Sequence, residues 1–114
     1  LGNKDIAPPF TRLLFAEFYD YCISLEEVEE TFPFDKNTLV FKKKNKIFAL
    51  ANTFDFEFIN LKCDPIETLE LREKYHGIRP GYHMNKKHWN SVYVNQDVPD
   101  ALIYKLIQKS YGLV

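Results

Sequence analysis

Glycine is scarce in this 114-residue sequence, occurring only at positions 2, 77, 81 and 112, so no glycine-rich loop is available to cradle a phosphate. Cysteine is scarcer. Cys22 and Cys63 cannot supply a four-ligand zinc set, and neither belongs to a Cys-x-x-Cys pair. Both sit in apolar or aromatic segments and read as small buried hydrophobes; a bridge between them depends on a distance the sequence does not give. No apolar run reaches the length that spans a bilayer, and no charged n-region with an apolar h-region opens the chain. A cytoplasmic protein without membrane contact is expected. Residue 1 is Leu, so either a trimmed start or a numbering that begins inside a longer gene product is expected. Excess charge is missing too: the net charge of -1 argues, as an average, against a globally basic nucleic-acid binder.

What is abundant is apolar and aromatic. At 46% hydrophobic residues, with 10 Phe and 7 Tyr, the chain is excluded from the disordered class. Its length suits one domain with its own core. Residues 1–10 carry Gly2, Pro8 and Pro9 and read as an irregular lead-in to a single domain over residues 11–114.

Within residues 11–25, Leu14, Phe15, Phe18, Cys22 and Leu25 return every three or four positions, which predicts a helix with Thr11 as its N-cap. Phe32, Phe34, Leu39, Val40 and Phe41 follow, interrupted by Pro33 and a polar turn at residues 35–37. Residues 38–43 and 46–52 are β-rich and are joined through Lys44-Asn45, a connection suited to a hairpin because Asn tolerates positive φ. Residues 58–63 give another strand. Asp64-Pro65-Ile66-Glu67 is a helix start, with Asp64 as cap, Pro65 in the first turn and Glu67 closing a capping box. Ile66, Leu69, Leu71 and Tyr75 are the expected buried stripe of that helix, and Gly77 its C′ residue. Residues 79–87 read as a loop and 89–94 as the last strand. From Pro99-Asp100 a final helix carries an apolar face of Leu102, Ile103, Leu106 and Ile107. The short links between the early strands predict an antiparallel meander, hence an α+β fold: about five strands with helices packed on them, in the order α-β-β-β-β-α-β-α.

The average charge hides a segregation. Residues 17–35 hold seven acids and no Lys or Arg, whereas residues 36–54 hold five lysines and no acid. Residues 72–88 carry Arg72, Lys74, Arg79, Lys86 and Lys87 against Glu73 alone, together with His76, His83 and His88. Such blocks create local potentials that a net charge does not report. Lys42, Lys43, Lys44 and Lys46 read either as a solubilised hairpin tip or as a basic wing resting on a phosphate backbone.

The most distinctive stretch is Arg79-Pro80-Gly81-Tyr82-His83-Met84-Asn85-Lys86-Lys87-His88-Trp89. Together with Thr31-Phe32-Pro33-Phe34, Thr38-Leu39-Val40-Phe41-Lys42, Lys46-Ile47-Phe48-Ala49, Asn60-Leu61-Lys62-Cys63-Asp64-Pro65 and the tail from Val98-Pro99-Asp100 to Ser110-Tyr111, it resembles the MmcQ/YjbR family of small bacterial proteins. The resemblance runs in order over residues 15–114. It departs at Leu25-Glu26-Glu27-Val28, where the family usually has Leu-Pro-Gly-Val, and at the C-terminus, where relatives commonly continue the helix. The resemblance implies a frataxin-like α+β fold and a double-wing DNA-binding role.

Taken one by one, the residues admit both structural and binding roles. Trp89, next to Lys87 and His88, can stack on an unpaired base, but its alternation with Ser91 and Tyr93 reads first as a core anchor. Asn85 and Asn90 can read base edges or stabilise turns. Arg79 can grip a phosphate or pair with an acid. The histidines lack the i, i+4 spacing of a helical zinc site, and Ser91 and Cys63 lack the surroundings of a nucleophile. The expected site is therefore a DNA-binding surface made of Lys42, Lys43, Lys44, Lys46, Arg79, Asn85, Lys86, Lys87, His88 and Trp89, with no enzymatic activity, cofactor or metal. The alternatives are a protein-interaction module that docks through its sheet or acidic first helix, and a small-ligand or metal site around His83 and His88.

Overall fold

A computed structural model describes residues 12–114; the lead-in and the cap expected at Thr11 lie outside the described residues. Helix α1 (Phe15–Ser24) starts where the Glu17 carboxylate accepts the Leu14 N–H at 2.9 Å. Six strands follow the apolar runs: β1 (Val28–Thr31), β2 (Thr38–Lys43), β3 (Lys46–Asn52), β4 (Phe58–Lys62), β5 (Ile78–Pro80) and β6 (Trp89–Tyr93). Helix α2 (Glu67–Lys74) lies between β4 and β5, and α3 (Asp100–Gly112) closes the chain. All pairings are antiparallel, in the order β1-β2-β3-β4-β6-β5. The α+β class is as expected, with six strands in place of about five.

The additional strand is β5. Ile78, Arg79 and Pro80 pair with Val92, Ser91 and Asn90 at the edge of the sheet, where the missing N–H of Pro80 leaves no gap in the ladder. The basic loop is therefore the connection of a β5–β6 hairpin over residues 81–88.

Turns form where the sequence supplies the chemistry. Lys44 and Asn45 both take positive φ, 51° and 66°, the pairing that a two-residue hairpin of matching twist requires. Asp35 accepts the amides of Asn37 and Thr38 at 2.8 and 2.7 Å, and these bonds hold its carboxyl below the usual range. Glu27 also has positive φ, 64°, at the position where the resembled family carries Gly. A side chain there crowds the next carbonyl and glycine does not. Glu27→Gly is expected to stabilise the fold by about 0.5–1 kcal/mol. A higher urea midpoint at unchanged m would show it, and an unchanged or lower midpoint would refute the strain.

One face of the sheet carries the helices. Phe18 and Cys22 of α1 and Ile103, Leu106 and Ile107 of α3 pack on Leu39, Phe41, Phe48, Ile59, Leu61 and Val92. The Phe18 ring lies 5.6 Å from Phe41 and 5.5 Å from Phe56. The β2–β3 register shifts after Phe41, so consecutive Phe48 and Ala49 both join this core. Ser110 of α3, fully buried, repairs the ladder at that bulge: its Oγ accepts the Lys62 N–H at 2.8 Å and donates to the Phe48 carbonyl.

Helix α2 corrects three expectations. Asp64 does cap it, accepting the Ile66 and Glu67 amides at 2.8 and 3.0 Å, which lowers its pKa, but Glu67 closes no capping box and instead pairs with Lys109 of α3. Ile66 and Leu69 are 79% and 63% exposed. The inward side is Thr68, Leu71, Arg72 and Tyr75, because Thr68 accepts a hydrogen bond from the Asn90 amide and the Arg72 guanidinium reaches β6. Gly77 is not a left-handed cap either. A Cβ there would stand 2.8 Å from Asp97 Oδ1, the oxygen that accepts the Gly77 N–H.

Candidate nucleic-acid interface

Among the described residues no helix lies on the other face of the sheet, and its register lays side chains in rows. Val40, Leu50, Asn60 and Ser91 form the middle row. The pairs Lys42–Ile47 and Lys62–Trp89 lie one step towards one end, and Thr38–Asn52 and Phe58–Tyr93 one step towards the other. The turn after Lys43 and the start of β6 therefore occupy the same end of the sheet, β3 and β6 being two strand spacings (about 10 Å) apart. The β2–β3 turn and the 81–88 loop flank that end as two basic projections.

The cations differ in their freedom. Lys44, Lys46 and Lys87 are exposed and form no ion pair among the described residues. Lys42 stands opposite Glu29 on β1, and Glu27 and Glu29 share a shallow hollow with Lys44. Lys43 is committed to α3: its Nζ lies 4.1 Å from the Tyr111 ring centroid and 3.2 Å from the Tyr111 carbonyl. Lys86 folds back to donate to the Gly81 carbonyl. Lys62, which the sequence reading left out, joins this end with its Nζ 5.8 Å from the Trp89 ring centroid. Its signal was present in the alternation of residues 58–62, which puts Lys62 on the face of Phe58 and Asn60.

The 81–88 loop is held by its own polar groups. Gly81 packs so closely that a Cβ would lie 2.8 Å from the Trp89 Cβ. The Asn85 Oδ1 accepts the Lys87 and His88 amides at 3.0 and 3.1 Å, so Asn85 is a turn residue. His83 takes φ 58° with its ring 4.0 Å from that of Tyr82. Beneath them, Tyr82 donates its N–H to Ser91 Oγ, Ser91 donates to Asn60 Oδ1, and the Asn60 amide donates to the Tyr82 carbonyl. From the helical side, Arg72 donates to Asn90 Oδ1 at 2.8 Å and to the carbonyls of Lys86 and Trp89.

Trp89 is 8% exposed and packs with Val40, Leu50, Ile47 and Met84, so its ring is a wall of the face and not a free stacking platform. Asn90 points into the helical side. Arg79 stands apart from the lysines, its guanidinium 4.1 Å from the Tyr93 ring centroid and its Nε donating to the His76 carbonyl. His88 is exposed at the foot of the loop. Among the described residues no three His, Cys, Asp or Glu side chains converge to hold a metal ion, and no helix is long and apolar enough to cross a membrane. Cys22 and Cys63 are free, and burial pushes both thiols up, away from the reactive thiolate.

Among the described residues, a six-stranded antiparallel sheet with three helices on one face and a two-projection basic end defines a small α+β class. The YjbR family model matches residues 23–113, and the chain belongs to the YjbR family. It is similar to the uncharacterized protein YbdF of Escherichia coli O157:H7, at 45% identity over 81% of this chain and 76% of that protein. It is also similar to the uncharacterized protein YjbR of Escherichia coli K12, at 29% identity over 87% of this chain and 85% of that one. Among solved structures, Deinococcus radiodurans protein DR2400, a domain of the DUF419 family, superposes with a TM-score of 0.82 at 40% identity, covering 87% of this chain and 76% of its own. A Pseudomonas syringae protein gives a TM-score of 0.75 at 30% identity, covering 89% of this chain and 98% of its own.

Proposed function

We propose that this chain is a non-enzymatic DNA-binding module that holds the phosphate backbone at the basic end of its sheet. The observation that supports this reading is the juxtaposition of two cationic segments well separated in sequence, the β2–β3 turn and the 81–88 loop. Lys44, Lys46 and Lys87 contact phosphate as mobile point charges, while Lys42 and Lys62 extend the positive potential onto the open face. Affinity then comes mainly from counterion release, with little readout of sequence.

The test is fluorescence anisotropy of labelled duplex and single-stranded oligonucleotides across a salt series. Replacing Lys44, Lys46 and Lys87 together by Ala is expected to weaken binding at least tenfold at low salt and to reduce the slope of log K against log salt by about 2–3. Absence of salt-dependent binding, or a slope untouched by the triple substitution, refutes the proposal. A second reading, a protein-docking surface, is favoured by the exposed Ile66 and Leu69 of α2. It predicts a captured partner that survives nuclease treatment and is lost on Leu69→Asp.

A further inference from the structure

The open face holds a cleft of about 470 Å³ that no part of the phosphate reading uses. Leu50 and Met84 floor it, and the rings of Phe34, Phe58 and Tyr82 wall it. Its size suits one small planar group. Phe34 is 65% and Tyr82 57% exposed, so two large rings stand at its mouth where they stabilise little else. The Tyr82 ring is braced edge-on by Phe58, at 5.9 Å between centroids, and its backbone is tied at both ends to Ser91 and Asn60. One wall is thus pre-set and the other, Phe34, projects from a surface turn.

We infer that this cleft takes an unpaired nucleobase, so that the module binds single strands by stacking a base between Phe34 and Tyr82 while the neighbouring lysines hold its phosphates. The choice of a nucleobase among planar rings rests on the reading of the basic end, whose Lys42 and Lys62 lie one row from Leu50 and Asn60 of the cleft on the same face. Aromatic faces beside a cationic track are how single strands are held without strict sequence preference. The cleft also carries one acid, Asp35. One of its oxygens accepts the Asn37 and Thr38 amides, and the other accepts only the Thr38 hydroxyl. That second oxygen keeps a lone pair for the exocyclic amine or ring N–H of a base. A base inserted here must leave a duplex stack, so paired DNA cannot use the cleft.

The experiment uses the whole chain and three probes: a short single strand, the blunt duplex of the same sequence, and the mononucleotide dGMP. Methyl NMR of Leu50 and Met84 should shift with the single strand and with dGMP, and not with the duplex. Phe34→Ala and Tyr82→Ala, both at exposed side chains, should each weaken single-strand binding about tenfold or more and leave duplex binding unchanged. Unshifted cleft methyls at saturation with single strand and dGMP, or unchanged single-strand affinity in both variants, overturns the inference. Shifted methyls with affinity indifferent to Lys44, Lys46 and Lys87 keeps the cleft and removes the phosphate reading; salt-dependent binding with silent methyls does the reverse.

Discussion

Ser110→Ala is expected to lower the unfolding free energy by about 2–3 kcal/mol although it removes a single oxygen. That oxygen serves two backbone groups at once, the Lys62 N–H and the Phe48 carbonyl, at the bulge where β3 and β4 fail to satisfy each other. Both groups would lose that partner beneath α3, where Ser110 and Phe48 are fully buried. For a domain of this size the loss corresponds to a midpoint lowered by roughly 10–20 °C. The chain's one tryptophan is buried and reports unfolding directly. A shift below about 3 °C would mean that the strands repair the bulge without the hydroxyl.

Arg72→Ala is expected to cost about 3 kcal/mol and to loosen the 81–88 loop. Its guanidinium joins three acceptors on the loop and on β6: Asn90 Oδ1, the Lys86 carbonyl and the Trp89 carbonyl. Asn90 is buried and would keep only its bond to Thr68. Arg72→Lys keeps the charge but not the planar fork, so it should recover less than half of the loss. Hydrogen exchange separates this effect from general destabilisation. The amides of residues 81–89 should lose protection in Arg72→Ala before those of β2 and β3 do, and uniform loss along the chain would contradict the anchoring role.

Sequence legibility followed locality. The Lys44-Asn45 turn, the Asp64 cap, and the stripe of Ile103, Leu106 and Ile107 each depend on neighbours within a few residues, and each appears where the pattern put it. Helix α2 did not follow its pattern. Apolar Ile66 and Leu69 face out because its orientation is set by polar bonds from Thr68 and Arg72 to β6, partners 17 to 22 residues away. Strand β5 was missed for a related reason: three residues ending in Pro80 show no alternation, and only β6 makes them a strand. The two basic blocks were readable as composition, but their meeting at one end depends on the order β3-β4-β6. Trp89 was readable as a core side chain by its alternation with Ser91, while the exposed rings of Phe34 and Tyr82 meet only through the long β5–β6 connection.

The claim that these two projections form one phosphate-binding edge is tested most directly by mapping amide shifts of the labelled protein on titration with DNA at low salt. The account predicts that the amides of Lys44, Asn45, Lys46, Lys87 and His88 shift together along one binding curve, and that those of α1 and the acidic strand β1 stay in place. Shifts centred on α1 or α2, or a β2–β3 turn that stays silent at saturating DNA, would contradict it.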